Sequence, residues 1–270
     1  MQSRLYHHGI KGQRWGIRRF QNKDGTLTPA GKKHYKDDDI TFSKGYAQSH
    51  ISSQNKIKMK NRSTFTMINE NDAKVYSGAY GMYLVDKQKR MGKDPKVYAH
   101  VFENKHSGVI AGEKAMRDTF NSIYENHKDL VVSAMARDYN EYAKNGQIKS
   151  GTSYKDFSKD KDRMFKLFTK VTLDYYSVAD SSGELKDFPS KNYILGKMYT
   201  ENLQKQKYSG MLDLNDKGSF FGVESPVIIF NGKKYLKDSH ITELPLSAVE
   251  KVANTLLDEG KKSTQRTERI

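Results

Sequence analysis

The sequence predicts an α+β domain with a basic, glycine-rich arm in front of it. Apolar residues recur at helical spacing through four segments between residues 112 and 208. β-Branched and aromatic runs flank that stretch, at residues 64–68 and 97–102 before it and at 210–214 and 226–230 after it. Ahead of both, Gly9, Gly12, Gly16, Gly25 and Gly31 interrupt any long helix in the first 36 residues. Strands on either side of a helical stretch define the α+β class.

The arm spans residues 1–36, where Asp24-Gly25 marks a turn and Thr28-Pro29-Ala30-Gly31 a second turn or a short helix start. Residues 37–62 read as a linker: three aspartates and many Ser, Gln, Asn and Lys surround only Ile40, Phe42, Ile51 and Ile57. The globular domain is expected over 63–260. Within it, 75–85 carries apolar and aromatic residues around Gly78 and Gly81 and fits neither period. Helices are expected over 112–126 (Ala115, Met116, Phe120, Ile123, Tyr124), 130–144, 159–178 and 192–208. Asn145-Gly146 is a stop signal for the second. Asn231-Gly232 predicts a hairpin from the strand at 226–230 into a basic strand at 233–237. A last helix follows Pro245, opened by a Ser247-x-x-Glu250 capping box and closed at Gly260. Residues 261–270 form a polar tail.

The 270 residues hold 47 Lys+Arg against 32 Asp+Glu, a net +15, and no cysteine. Without cysteine there is no disulfide scaffold, thiolate metal site or cysteine nucleophile. Apolar runs are far too short for a membrane span, and Met1-Gln2-Ser3-Arg4 leads into polar sequence, so neither a membrane partner nor a secretory signal is expected. The charge is uneven: residues 1–64 carry 14 Lys/Arg and 4 Asp/Glu, two-thirds of the excess in a quarter of the chain. A basic arm on a nearly balanced domain points to an acidic partner; its bland alternative is a solvated arm.

Residues 5–35 are the densest signal, with the only tryptophan at Trp15. Trp15 and Phe20 can stack or anchor while Lys11, Arg14, Arg18 and Arg19 pair with phosphates or carboxylates. His7-His8-Gly9-Ile10-Lys11-Gly12, Trp15-Gly16-Ile17-Arg18-Arg19-Phe20-Gln21-Asn22, Asp24-Gly25-Thr26-Leu27-Thr28 and Ala30-Gly31-Lys32 closely resemble a module of bacteriophage and prophage structural-module proteins. The resemblance covers about 30 residues and implies a virion-associated protein acting by binding. Its partners would be other virion proteins or packaged DNA, and its location the virion or the host bacterial cytoplasm. Docking, structural anchoring and direct DNA contact remain three roles for the module.

A second, weaker resemblance covers 63–245. The stretch from Tyr208 to Asp216, then Glu224-Ser225-Pro226-Val227-Ile228-Ile229-Phe230, is similar to the distal half of phage ADP-ribosyltransferase-like domains. It implies a split antiparallel sheet around a central helical stretch. The alternative function is therefore an ADP-ribosyltransferase-like effector using a nicotinamide dinucleotide (NAD), with Arg62, Ser77 and Glu224 in the family's arginine, hydroxyl and glutamate roles. The fit is incomplete: Thr66 stands where the strand arginine is expected, and Pro226 where a second glutamate would stand. A non-catalytic domain with no cofactor is the main expectation. His7 and His8 lack a spaced ligand set, so no metal is expected. No Walker loop, dinucleotide glycine motif, nucleophile elbow or His-Glu-x-x-His is present.

Overall fold

The computed structural model describes residues 20–22, 24–148, 151–183, 190–217 and 225–262. Helix α1 (Pro29–His34) leads into β1 (Ile40–Phe42), β2 (Ala47–Ser52) and β3 (Thr64–Met67), followed by the long helix α2 (Glu70–Arg90), β4 (Val97–Asn104) and β5 (Gly108–Ala111). The helical stretch comprises α3 (Glu113–Asn126), α4 (Lys128–Lys144), α5 (Tyr154–Phe157), α6 (Lys161–Leu167), a π-helical turn (Phe168–Leu173), α7 (Asp174–Ser182) and α8 (Ser190–Lys205). The chain returns through β6 (Gly210–Leu212), β7 (Pro226–Ile229), the single turn α9 (Gly232–Tyr235) and β8 (Leu236–Leu244), then enters α10 (Leu246–Lys262). The α+β class and the central helical stretch are as expected.

The strands form one sheet in the order β1-β5-β6-β7-β3-β2-β4-β8. All neighbours are antiparallel except β5 and β6. The sheet is split in its interior. β2 pairs with β4, and β3 with β7, along their whole lengths, but β2 and β3 meet only where Ser49 lies opposite Met67. Side chains close the rest of that seam. The Tyr46 hydroxyl donates to the Ile68 carbonyl at 2.7 Å, His50 Nδ1 bonds the Phe65 carbonyl at 2.7 Å, and the Thr66 hydroxyl donates to Gln48 Oε1. Residues 48 and 50 of β2 alternate and so share one face, and Tyr46 just precedes the strand.

Two hydrophobic clusters back the sheet, the larger one reaching into the three-stranded half through Phe102 of β4 and Leu236 of β8. The helical stretch packs on the five-stranded half through Met116, Phe120, Phe165, Phe168, Leu195 and Tyr199, all buried with strands β5 to β7. A smaller cluster of Ile51, Leu84, Val85, Val97 and Val249 joins α2 and α10 to the three-stranded half. The expected face of α3 is the observed one: Ala115, Met116, Phe120, Ile123 and Tyr124 are buried. The helix expected over 159–178 is observed as one continuous helical run from Lys161 to Ser182 that contains a π-helical turn, and 75–85 lies inside α2.

Four expectations are corrected. Residues 37–62 are not a linker, because β1 and β2 lie there and the aspartates cap α3. Asp39 accepts from the Gly112 N–H at 2.8 Å and Asp38 from the Lys114 N–H at 2.9 Å, at the positive end of that helix. The arm expected over 1–36 is in its second half part of the domain: Gln21 Nε2 donates to the Gly25, Phe42 and Gly108 carbonyls, and Tyr35 packs edge-on against Tyr208. Asn231-Gly232 makes no hairpin. Asn231 instead caps α9 by accepting from the Lys234 N–H at 2.9 Å, and β8 crosses to pair with β4. At the C-terminal end, α10 runs through Gly260 to Lys262 rather than stopping there.

Two glycines are required by close approach. A Cβ on Gly31 would sit 1.9 Å from the Phe20 carbonyl oxygen. A Cβ on Gly78 would sit 2.5 Å from Val252 Cγ1 and 2.9 Å from the Ala253 backbone nitrogen. Gly78→Ala should gain about 1 kcal/mol of helix propensity yet lose more to the clash, which costs about 1–3 kcal/mol in a packed contact. The expected net result is a lower denaturation midpoint in urea, and a raised one would show that α10 does not pack against α2 in this register.

Candidate functional site

The seam between the half-sheets opens into a cleft of about 520 Å³. His50, Ile51, Phe65 and Met67 of β2 and β3 form its floor, and Tyr76, Ala79, Tyr80 and Tyr83 of α2 form one wall. Asp174, Val178 and Ser181 of α7 form the other, and the turn after β6 supplies Asp213, Asn215 and Asp216. Positions 76, 80 and 83 fall on one stripe of a helix. Their rings stack in file, Tyr76 on Tyr80 at 5.2 Å and Tyr80 on Tyr83 at 5.6 Å between centroids.

The acidic end is built by the backbone. Asp213 is only 4% exposed, and its Oδ1 accepts from the Asn215 N–H at 3.1 Å and the Asp216 N–H at 3.3 Å. Asp216 Oδ2 accepts from the Tyr76 hydroxyl at 3.2 Å. Burial, then the neighbouring carboxylates, push the Asp213 carboxyl well above the ordinary range. Burial, and after it Asp216, raises Asp174 from 3.8 to about 6. Burial also raises Asp216, against the lowering effect of the Tyr76 hydrogen bond. His50 moves the other way: burial lowers it to about 4. It is therefore neutral near pH 7, and with Nδ1 as the donor to Phe65 its Nε2 is left as an acceptor.

The residues singled out from the sequence lie elsewhere. Arg62 does not line the cleft; its Nη1 donates to the Ser182 carbonyl at 3.3 Å at the end of α7, where a cation suits the helix dipole. Ser77 is on α2 rather than on a strand, donates to the Lys74 carbonyl at 2.6 Å, and is not among the cleft residues. Thr66 is fully buried in the seam. Phe20 is partly buried, stacked on His34 at 4.3 Å between centroids and set edge-on to Tyr35 at 5.8 Å. Glu224, Lys11, Arg14, Trp15, Arg18 and Arg19 lie outside the described residues.

Sequence reading passed over the residues that do converge. Tyr76, Tyr80 and Tyr83 had a signal in their spacing, hidden in a segment of unassigned type. Asp213 and Asp216 stood in a quoted motif without a role, and Asp174 carried no local signal. Among the described residues, no group of three or more His, Asp or Glu is arranged to hold a metal ion, and no helix is long and apolar enough to cross a membrane. Comparison with protein-family models, curated proteins and solved structures gives no match. Fold and site define a split-sheet α+β domain with an acidic, tyrosine-walled cleft at the split.

The cleft sets a pH dependence. A carboxyl whose pKa is raised by folding binds its proton more tightly in the folded state, so stability falls as pH rises from the unfolded value through the folded one. Asp174 acts this way between 3.8 and about 6, and Asp213 continues the fall to higher pH. His50 opposes it between about 4 and 6.5, because it resists protonation when folded. The expected result is that Asp213→Asn melts higher than the parent at pH 8, with the gap closing toward pH 5. Its scale is about 1.4 kcal/mol per pH unit over which the two states differ in proton content. Equal pH profiles for the two proteins would refute the assignment.

Proposed function

We propose that the protein acts by binding, as a virion-associated member of a bacteriophage structural module, with residues 1–19 as its docking segment. Those residues hold five Lys/Arg, no Asp or Glu, and Trp15. The observation that carries the reading is the mooring of residues 20–35 on the domain. Gln21 ties the chain to β1 and β5 through the Phe42 and Gly108 carbonyls, and Thr28 caps α1 by accepting from the Gly31 N–H at 3.1 Å. Tyr35 then buries itself against Tyr208. The later part of the recognisable module is thus part of the domain, a firm base that suits the presentation of the neighbouring basic residues to an acidic partner. Other virion proteins and packaged DNA are the partners whose chemistry fits.

The split sheet favours a second reading, the ADP-ribosyltransferase-like effector. Electrostatics weigh against it. The described cleft residues include three aspartates and no Lys or Arg, so no cation there would pair with the diphosphate of NAD. Arg62 and Ser77 also lie outside the cleft lining.

Deleting residues 1–19 should leave thermal unfolding unchanged while removing the protein from purified particles. Deleting 1–36 should also lower the melting temperature, because it takes away Gln21 and Tyr35. Undiminished recovery of the shorter deletion in particles would sink the docking role. Slow hydrolysis of NAD by the purified full-length protein would favour the second reading instead. If the partner is DNA, affinity should fall steeply with salt, since each phosphate contact releases a counterion.

A further inference from the structure

Every element that meets at the seam brings hydrogen-bond acceptors or aromatic faces to the cleft. Asp174, Asp213 and Asp216 supply carboxylates, and neutral His50 supplies Nε2. Opposite them lies the file of three stacked tyrosines. Asp213 is the decisive group. It is 4% exposed and lines the cleft, and its Oδ1 is held by two backbone N–H groups, which fix the carboxyl in place beside Asp216. The volume of about 520 Å³ lies in the range of small-molecule sites and far exceeds one metal ion. A matching ligand has several donors for the three carboxyl groups, carries more than one positive charge, and has an apolar body to lie on aromatic rings.

We infer that the cleft is a binding site for a linear polyamine, an alkyl chain bearing two or more ammonium groups. Its ammonium groups pair with Asp213, Asp216 and Asp174, and its methylenes lie along Tyr76, Tyr80 and Tyr83, whose faces attract cations. Binding favours the ionised carboxylates, so it releases protons and tightens as pH rises. This site is independent of the docking segment and survives if the docking role fails.

The test is titration calorimetry of the full-length protein with spermidine at pH 8 and at pH 6. Saturable binding is expected, tighter at pH 8, with proton release revealed by heats that depend on the buffer's ionisation enthalpy. Asp213→Asn should weaken it at least tenfold. Tyr83→Ala, at a residue 50% exposed and therefore safe for folding, should weaken it severalfold with unchanged melting. Magnesium chloride at matched ionic strength should give no such isotherm. Equal heats from magnesium and spermidine, or equal spermidine affinity in parent and both variants, would overturn the proposal. Tighter binding of an arginine ester than of spermidine would overturn the polyamine and assign the cleft to a guanidinium group.

Discussion

The seam between β2 and β3 is the constraint on which the rest of the structure depends. A continuous ladder there would join the half-sheets flat and leave no space between α2 and α7. Instead, one residue pair holds the strands together, and Tyr46, Gln48 and His50 replace the missing backbone bonds with side-chain ones. Side chains reach further than a backbone ladder, whose strands lie about 4.8 Å apart, so the strands diverge while their polar groups stay paired. The buried file continues from Thr66 through Gln48 to Asn104 on β4, at 2.8 Å for the last bond. The cleft is thus a direct consequence of where polar residues fall on one strand.

Two cores follow from that split. The helical stretch stabilises one half-sheet, and α2 with α10 stabilises the other, so each wall of the cleft belongs to a different hydrophobic cluster. Asp72 links them. It is fully buried near the start of α2, and its Oδ2 accepts from the Ser225 N–H at 2.7 Å, just ahead of β7 in the other half. The aspartates of the cleft sit on the helical-stretch side and the tyrosines on the α2 side, joined by the Tyr76–Asp216 hydrogen bond. The aromatic and acidic parts of the site are therefore held in register by the same packing that separates the half-sheets.

What the sequence disclosed followed the kind of burial. α3 and α8 bury large side chains at helical spacing, and their positions could be read directly. α2 hid its period because the face toward α10 is made of Gly78 and Gly81, which no hydrophobic pattern registers. β2 was lost among linker-like residues because Ile51 is its one large apolar core residue and the face toward the seam carries Gln48 and His50. Asn231-Gly232 misled for a related reason: an asparagine caps a helix as readily as it turns a hairpin, and only the distant β4 decides which. The site was less legible than the fold. Asp174 and Asp213 are far apart in sequence and meet only after the helical stretch folds back, while Ser77 shares a helix with the cleft tyrosines but not their face.

Net charge conceals this arrangement. The chain as a whole is +15, and residues 65–270 hold 33 basic and 28 acidic side chains, figures that suggest an anion-binding surface at most. The cleft has the opposite sign. Its three aspartates are partly shielded from bulk water, where charge interactions are stronger than at the surface and are screened less by salt. The excess positive charge lies near the N-terminus, outside the cleft residues. A basic segment suited to an acidic macromolecule and an acidic pocket suited to a small cation can therefore operate on one chain without cancelling. The proposed docking segment would act through many charges and be salt-sensitive, whereas the proposed cation site would act through a few partly buried ones and answer chiefly to pH.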